Sequence, residues 1–287
     1  MAPALVGPHG ARVSRALTGN RRFWKMTGSG NDFVFFDART EPAGELEGAD
    51  TIGAICDRRR GVGADGVVFF EADASETYGI RYFNRDGSLA EFCGNASLCS
   101  VRLAAELGVI EPEQRFRVRT SSGVIPGRMG PDGPEVGMPP VLDAVPAFDA
   151  PLEAGESRIG FARVGVPHLV VACADVSAVD VEHRGRTLRH NPGLRAGANV
   201  NFVSRRGHDW TYRTYERGVE EETLACGSGS VAAAAMLVAW SGEETPLTLI
   251  TSSGAPLRIS FNGEAPALAG EGRLVFEGRL RDAVSAF

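Results

Sequence analysis

The segment Arg81-Tyr-Phe-Asn-Arg-Asp-Gly-Ser-Leu-Ala-Glu-Phe-Cys93-Gly94 decides the fold, because the chain contains it twice. With one inserted residue it aligns with Arg213-Thr-Tyr-Glu-Arg-Gly-Val-Glu-Glu-Glu-Thr-Leu-Ala-Cys226-Gly227. Each copy begins with the aromatic residues of a strand and ends in Cys-Gly. Self-similarity of this kind is the sequence signature of a duplicated structural unit. We therefore predict two similar halves in which Cys93 and Cys226 are counterparts.

The residues after each Cys-Gly extend the repeat. An alanine-rich apolar stretch follows each copy, and a glycine ends it, at Gly108 and at Gly242. This pattern predicts two helices with glycine at the C-terminal cap. Further along, Thr-Ser-Ser-Gly occurs at residues 120–123 and again at 251–254. The repeat thus spans most of a domain.

Short segments rich in β-branched and aromatic residues predict further strands. They are residues 33–37, 67–71, 116–120, 169–173, 200–204, 247–251 and 274–276. Since strands outnumber helices, the predicted fold class is α+β. We expect two pseudo-symmetric domains, each a mainly antiparallel curved sheet or barrel around a central helix. The ligand cleft is expected between them, as is usual at such interfaces.

The domain boundaries follow from the repeat. Pro139-Pro140 opens a Pro- and Ala-rich stretch that reaches Pro151 and is the best linker candidate. We expect an N-terminal domain of residues 22–138 plus 271–287 and a C-terminal domain of residues 139–270. Residues 1–21 are interpreted as a disordered extension, with a transit peptide as the alternative.

Composition excludes several function classes. The net charge of −6 argues against a nucleic-acid partner, which requires clustered Lys and Arg. No run of about 18 apolar residues predicts a membrane span, so a membrane partner is not expected. The five cysteines include no CxxC pair and the five histidines show no metal-ligand spacing, so neither a disulfide framework nor a metal site is predicted. Free thiols without a secretory signal fit a cytoplasmic protein.

A cysteine directly before a helix lies beside unpaired backbone N–H groups and the positive end of the helix dipole. Both features stabilise a thiolate and can lower the thiol pKa. Two such units across a cleft could hold an amino acid's carboxylate on the helix amides, with the α-carbon between two sulfurs. A lone cysteine among small residues is usually a packing residue, which is how we interpret Cys56, Cys99 and Cys173. Equivalent positions in a repeat favour catalysis for Cys93 and Cys226.

Eight motifs together resemble the diaminopimelate epimerase family. They occur in that family's order and cover residues 23–254 with the strands around them. The motifs are Lys25-Met-Thr-Gly-Ser-Gly-Asn-Asp-Phe33, Gly61-Val-Gly-Ala-Asp-Gly66, Phe83-Asn-Arg-Asp-Gly-Ser88, Cys93-Gly-Asn95, Pro167-His168, Asn199-Val-Asn-Phe202, Tyr215-Glu-Arg-Gly218 and Ala225-Cys-Gly-Ser-Gly229.

The resemblance implies an isomerase that needs no cofactor and interconverts LL- and meso-2,6-diaminopimelate, a precursor of lysine and peptidoglycan. It assigns Cys93 and Cys226 as the acid/base pair, and His168 as a supporting residue that tunes the Cys226 thiol together with Glu216. A small-molecule amino-acid substrate is the expected partner, and a homodimer is possible. The resemblance also implies a set of substrate-binding residues. They are Asn31 for the reacting amino group, Gly94, Asn95, Gly227 and Ser228 for the reacting carboxylate, Asn84, Asn199 and Arg217 for the distal carboxylate, and Glu216 for the distal ammonium.

Two departures from the family pattern leave the substrate open. Val166 stands before Pro167-His168, where the family commonly has an Asn that contacts the distal end of the substrate. Ala96-Ser97-Leu98 follows Asn95, where the family usually has Gly and a nearby Arg. One alternative is therefore a related racemase or epimerase of a different amino acid. The other is a ligand-binding or thiol-redox protein on the same fold.

Overall fold

The computed structural model describes residues 20–90, 92–261 and 265–280. Seven strands come from the first half of the chain: β1 Arg21–Gly28, β2 Asn31–Asp37, β3 Gly66–Glu71, β4 Tyr78–Asn84, β5 Arg115–Thr120, β6 Gly123–Gly130 and β7 Gly133–Gly137. Ten strands follow: β8 Val141–Val145, β9 Glu156–Val164, β10 Val166–Cys173, β11 Asn199–Arg206, β12 Asp209–Glu216, β13 Glu221–Thr223, β14 Leu247–Ile250, β15 Pro256–Ser260, β16 Ala267–Ala269 and β17 Arg273–Leu280. The helices are α1 Ala49–Cys56, α2 Gly94–Glu106, α3 Val181–Arg189 and α4 Gly227–Ser241, with short 3-10 helices at Gly44–Glu47 and Val176–Ala178.

The predicted α+β class is confirmed. All seven predicted strand segments coincide with or overlap strands, and the two alanine-rich stretches form α2 and α4. Gly108 and Gly242 follow these helices with φ of 64°, the left-handed conformation that glycine adopts without strain. The first described strand begins at Arg21, and residues 1–19 of the predicted extension lie outside the described residues.

The strands of the described residues form one continuous sheet in which the two halves repeat each other. The first half has the order β17-β1-β2-β3-β4-β5-β6-β7, and the second has β8-β9-β10-β11-β12-β14-β15-β16 with β13 beside β12. The halves join where β7 pairs with β16. Parallel pairs occur at equivalent places, β2–β3 and β4–β5 in the first half and β10–β11 and β12–β14 in the second. All other strand pairs are antiparallel.

The predicted linker forms a strand, and one strand crosses between the halves. β8 lies inside the predicted linker and pairs with β9, so this segment is an outer strand of the second half. β17 returns to pair with β1 at the outer side of the first half. The return of β17 supports the division into residues 22–138 plus 271–287 and residues 139–270, which we retain as a proposal; residues 281–287 lie outside the described residues.

Strand register identifies corresponding residues in the two halves. Phe33 pairs with Gly66 in the first half as His168 pairs with Asn199 in the second. Gly66 lies opposite Asn84, and the same register places Asn199 opposite Glu216. Asn84 and Glu216 are therefore counterparts, which agrees with the sequence alignment of the repeat.

Each half packs one helix on either face of its sheet. In β2 the side chains alternate, with Phe33 and Phe35 in the core around α2 and Val34 and Phe36 in the smaller core under α1. Helix α4 shares the large core with α2, and α3 covers a third cluster in the second half. The longest helix of the described residues has 15 residues, and none of these helices is long and apolar enough to cross a bilayer. The buried helices α2 and α4 position the cysteines.

Candidate active site

The N-termini of α2 and α4 meet at the centre of the molecule. Cys93 and Cys226 are the N-cap residues of these helices, and both have extended backbone conformations. A Cβ on Gly94 would lie 3.6 Å from the Gly227 Cα and 3.2 Å from a methyl group of Leu268. Glycine at both positions thus lets the two helix starts approach each other. The structure brings the two predicted acid/base residues to one place.

The two thiols have different hydrogen-bond partners. The Cys93 Sγ accepts from the backbone N–H of Ala96, with a distance of 3.5 Å between sulfur and nitrogen. The Cys226 Sγ lies 3.6 Å from the Ser228 Oγ. Cys93 is half-buried and Cys226 is buried. All five cysteines are free.

The expectation of lowered thiol pKa values is wrong. Desolvation, aided by the nearby Glu216 carboxylate, raises the pKa of Cys93 to about 11 and that of Cys226 to about 12. Hydrogen bonds from the helix-start amides act in the predicted direction, lowering both values, but they are outweighed. Burial also raises the pKa of Glu216 itself. Both thiols are therefore protonated at neutral pH.

Asn31 and Asn95 contact each other beside Cys93. The Asn95 Nδ2 donates to the Asn31 Oδ1 at 2.7 Å, and the Asn31 Nδ2 donates to Asp65 at 3.1 Å. Asn31 follows a tight turn in which Ser29 and Gly30 both have positive φ. The sequence motifs contained Asp65, but sequence reasoning gave it no role.

Of the residues predicted to bind the distal end, Asn199, Glu216 and Arg217 lie at the ends of the neighbouring strands β11 and β12, while Asn84 ends β4 in the first half. The Asn199 Oδ1 accepts from the backbone N–H of Arg217 at 2.7 Å, and Glu216 accepts from the Thr223 hydroxyl at 2.9 Å. The half-buried Arg217 guanidinium donates to a backbone carbonyl and forms no ion pair with any carboxylate of the described residues. A guanidinium without such a partner is suited to bind a carboxylate ligand. Asn84 donates to Ser88 at 3.0 Å.

His168 belongs to a buried polar network behind Cys226. The Asn201 Nδ2 lies 3.4 Å from the His168 Nδ1, and the Asn201 Oδ1 accepts from Thr214 at 3.0 Å. The Tyr212 hydroxyl lies 3.0 Å from that same oxygen and 3.1 Å from the Cys226 carbonyl oxygen. Burial, aided by the charge of Arg217, lowers the pKa of His168 to about 3, so the imidazole is neutral. Sequence reasoning missed Asn201 and Tyr212, although Asn201 lies within a quoted motif.

Val166 begins β10, directly after Gly165, which has φ of 69°. It is half-buried and precedes His168 by two residues, as Asn31 precedes Phe33. Because Phe33 and His168 are counterparts, Val166 corresponds to Asn31. The second half therefore has an apolar side chain where the first half has an amide.

Comparisons with known proteins agree in one family. The family model described as diaminopimelate epimerase matches residues 23–141 and 160–274. The chain is 45% identical to the diaminopimelate epimerase of Gemmatimonas aurantiaca over 275 residues, which cover 90% of this chain and 98% of the relative. It is 38% identical to that of Aquifex aeolicus, with 91% and 98% of the two chains covered.

Solved structures with low sequence identity share the fold. A PhzF-family phenazine biosynthesis protein from Bacillus anthracis superposes with a TM-score of 0.71 at 13% identity, covering 91% of this chain and 99% of that one. A hydroxyproline epimerase from Agrobacterium vitis, with bound trans-4-hydroxy-L-proline, gives 0.62 at 17% identity, covering 96% and 95%. These likenesses show the shared fold, which has two pseudo-symmetric domains.

Proposed function

The chain belongs to the diaminopimelate epimerase family, and from this membership we propose that Cys93 and Cys226 exchange the α-proton that interconverts LL- and meso-2,6-diaminopimelate. The protein is an isomerase that acts as an amino-acid epimerase. One observation carries the mechanism: the two cysteines cap helices whose first residues, Gly94 and Gly227, lie so close that a Cβ on either would be in van der Waals contact with the other. An α-carbon at this junction would have a sulfur on each face.

In the proposed reaction one cysteine is a thiolate and the other a thiol. The thiolate takes the α-proton, so the Cα–H bond breaks and an S–H bond forms. The other thiol then donates its proton to the opposite face of the carbanion, its S–H bond breaks, and the configuration inverts. The reverse direction exchanges the two roles. Each positioned acid or base contributes a factor of about 10² to 10⁴ in rate.

The helix starts would stabilise the charge that develops on the substrate. Backbone N–H groups at the first turn of a helix have no intrahelical partner and attract anions. We propose that four residues at the two helix starts bind the reacting carboxylate and its enediolate-like form. They are Gly94, Asn95, Gly227 and Ser228. Preorganised donors in a dry site are usually the largest single contribution to catalysis.

The raised thiol pKa values have a role in this mechanism. A thiolate of higher pKa is a stronger base, which suits the removal of a weakly acidic α-proton. When the substrate binds, the positive charge of its ammonium group favours this thiolate, and the thiol releases its proton to solvent water. Burial of Cys93 and Cys226 thus links thiolate formation to the presence of substrate.

The distal end of the substrate would be held by residues at the ends of β4, β11 and β12. We propose that Arg217 binds the distal carboxylate with Asn84 and Asn199, while Glu216 binds the distal ammonium. The support is the Arg217 guanidinium, which pairs with no carboxylate in the part of the chain that the structure describes, and the half-buried Glu216 next to it in the sequence. A site that binds a second amino and carboxylate group at the distal end of the substrate would favour diaminopimelate over shorter amino acids.

A second candidate function rests on Val166. An apolar residue in place of the expected amide favours a substrate with a less polar distal end, and the chain would then be an epimerase of a different amino acid. A thiol-redox protein is the remaining alternative. It gains no support from the retained residues of the distal site, which a disulfide switch does not need.

The test is α-proton exchange in D₂O, followed by NMR and mass spectrometry. We expect deuterium to enter the α-position of LL- and meso-diaminopimelate faster than that of any other amino acid in a panel of L-isomers. Faster exchange with another amino acid would favour the second candidate. Exchange with none of them, together with a Cys93–Cys226 disulfide in the oxidised protein, would favour the redox alternative.

Two further points belong to the proposal. We propose a cytoplasmic location, supported by the five free cysteines. We also propose a homodimer, supported by two large apolar side chains of the outer strand β17, Val275 and Phe276, which are 46% and 48% exposed. Light scattering during size-exclusion chromatography would measure the oligomeric state.

A further inference from the structure

Three polar side chains form a line of hydrogen bonds that ends in the first turn of α2. The Asp65 Oδ2 accepts from the Asn31 Nδ2 at 3.1 Å, and the Asn31 Oδ1 accepts from the Asn95 Nδ2 at 2.7 Å. Asn95 is 3% exposed and directly follows Gly94 at the junction of the two helices. The line thus connects a carboxylate outside the junction with a buried amide inside it.

The carboxylate determines the direction of every bond in this line. An ionised carboxylate only accepts hydrogen bonds, whereas an amide has one accepting and one donating end. Asp65 therefore requires Asn31 to present its NH₂ group, which leaves the Asn31 oxygen to face Asn95. Asn95 in turn must present its own NH₂ group to Asn31. The orientation of both amides follows from the charge of Asp65.

One atom at the end of this line has no partner. The Asn95 Oδ1 is buried and accepts no hydrogen bond from any of the described residues. Buried polar atoms are almost always hydrogen-bonded in native proteins. An unpartnered acceptor beside Cys93 therefore marks a place for a donor that is brought by the ligand.

Asp65 is itself held in position. Its Oδ1 accepts from Arg58 at 2.8 Å, and its Oδ2 also accepts from the backbone N–H of Asp32 at 3.2 Å. The Asp32 carboxylate accepts from the buried Lys25 ammonium at 2.6 Å and from Arg58. Two cations and a backbone amide thus fix these carboxylates without using the Oδ2 contact to Asn31.

We propose that Asp65 is a positioning residue that orients Asn31 and Asn95, so that the Asn95 Oδ1 accepts a hydrogen bond from the α-ammonium group of an amino-acid substrate. This inference rests on the proposed function. Asp65 does not touch the substrate and acts only through the two amides. The second half has no such line, because the counterparts of Asp65, Asn31 and Asn95 are Ala198, Val166 and Ser228. Recognition of the reacting ammonium belongs to the first half.

The test compares Asp65→Asn with Arg58→Gln in steady-state kinetics with diaminopimelate. Asp65→Asn keeps the size of the side chain but allows both amides to turn over. The Asn95 NH₂ group would then face the ammonium. We expect KM to rise roughly ten- to 100-fold, the range for loss of a hydrogen bond to a charged group. Arg58→Gln removes the ion pair but keeps the accepting carboxylate, so its KM should stay within about threefold of the wild-type value.

A double variant separates amide orientation from a general structural role. In Asp65→Asn/Asn31→Asp the carboxylate moves to position 31 and accepts from both neighbouring amides, so the Asn95 Oδ1 is again the free acceptor. We expect its KM to fall at least about threefold below that of Asp65→Asn. A double variant with a higher KM than the single variant, or a single variant with a wild-type KM, would overturn the inference. If Asp65→Asn does not fold, the KM of the double variant decides: a value within about tenfold of wild type supports the inference, and a larger one overturns it.

The wild-type protein in the same assay reports on the proposed function separately. If it does not turn over diaminopimelate, the proposed function fails, and the same variants are then assayed with the amino acid that exchanges fastest. If the wild type is active and Asp65→Asn has an unchanged KM, the positioning role alone fails.

Discussion

The two halves share a backbone arrangement but differ in the side chains behind their cysteines. In the first half these positions hold mostly apolar residues, and the Phe33 and Tyr82 rings pack edge to face at 5.5 Å. In the second half they hold the polar network of His168. The corresponding pairs are Phe33 and His168, Val68 and Asn201, Ile80 and Tyr212, and Tyr82 and Thr214. Duplication has therefore preserved the positions of the two thiols while their surroundings became different.

The polar line of Asp65 shows the opposite distribution, since it occurs in the first half only. Each half thus has polar side chains beside its helix start. In the first half they are the hydrogen-bonded amides beside Cys93, and in the second half they are the network of His168 behind Cys226. A two-base epimerase needs equivalent positions for its two sulfurs, but its substrate is not symmetric. The amino group, the carboxylate and the side chain must be bound by different residues. The difference between the halves matches this asymmetry.

The largest expected effect is the loss of either sulfur. Cys93→Ala and Cys226→Ala should each reduce epimerisation by at least about 10²- to 10⁴-fold, because inversion requires a group on each face. Each variant keeps one base and should still exchange the α-proton of one isomer, with the two variants acting on opposite isomers. NMR in D₂O measures both reactions.

Cys173→Ala is the matched control, since Cys173 lies in β10 and should leave turnover unchanged. Full epimerase activity in either active-site variant would rule out the two-base mechanism. Loss of exchange with both isomers in one variant only would show that the two halves are not equivalent in proton transfer.

The second effect is the pH dependence of turnover. Since the free thiols have pKa values of about 11 and about 12, the thiolate fraction rises with pH, about tenfold per unit below the pKa. We expect kcat/KM to rise from pH 7 to pH 9. Glu216→Gln removes a negative charge beside both sulfurs and should move this rise to lower pH.

Asn84→Asp tests the same effect from the other half, because Asn84 is the counterpart of Glu216. It adds a carboxylate and should move the rise to higher pH. The measurement is kcat/KM from pH 6 to pH 10 for the three proteins. A wild-type profile that is already flat below pH 8 would contradict the raised pKa values.

The third effect concerns stability in acid. His168 has a folded pKa of about 3, below its unfolded value near 6.5, so the unfolded chain binds the proton first as pH falls. Proton binding by His168 in the unfolded chain should therefore lower the free energy of unfolding as pH falls below 6.5, by about 3 kcal/mol at pH 4. His168→Phe, which copies the first half, should lose that much less between pH 7 and pH 4.

Urea unfolding at the two pH values measures this difference. His183→Phe serves as the control because His183 is exposed on α3, and it should behave as the wild type. Equal losses of stability in the wild type and His168→Phe would show that His168 is not held neutral in the fold.

The sequence predicted the duplicated part of the fold because the repeat is carried by residues with strict local requirements. In each copy, Cys-Gly before an apolar stretch specifies the start of a helix, as at Gly94 in α2. The glycine after the stretch specifies its end, as at Gly242 after α4. Strands β6 to β9 were not predicted, since their segments contain Gly and Pro or strongly polar residues that weaken the strand pattern. Their conformation is set by pairing with distant strands.

The candidate site divides in the same way. The two cysteines were identified from their equivalent positions in the repeat, and Asn31 and Arg217 from the motifs that resemble the family. The thiol pKa values were predicted in the wrong direction, since burial and the position of Glu216 depend on tertiary packing. Asp65 and Tyr212 act through other residues, and such a role has no local sequence signal.

The smallest expected effect is at Val166, the counterpart of Asn31. An amide there could contact the distal carboxylate beside Arg217, and a hydrogen bond to a charged group contributes about 1.5 kcal/mol, or roughly tenfold in affinity. Val166→Asn should therefore lower KM for diaminopimelate about tenfold, while Val166→Thr, which keeps the branched shape, should change it less. The reciprocal Asn31→Val should instead raise KM, because the amide line of the first half is lost. Measurement of KM and of D₂O exchange with the amino-acid panel distinguishes two outcomes. If diaminopimelate is already the fastest substrate and Val166→Asn brings no gain, this position does not set specificity, and the two halves differ here without consequence for the distal end.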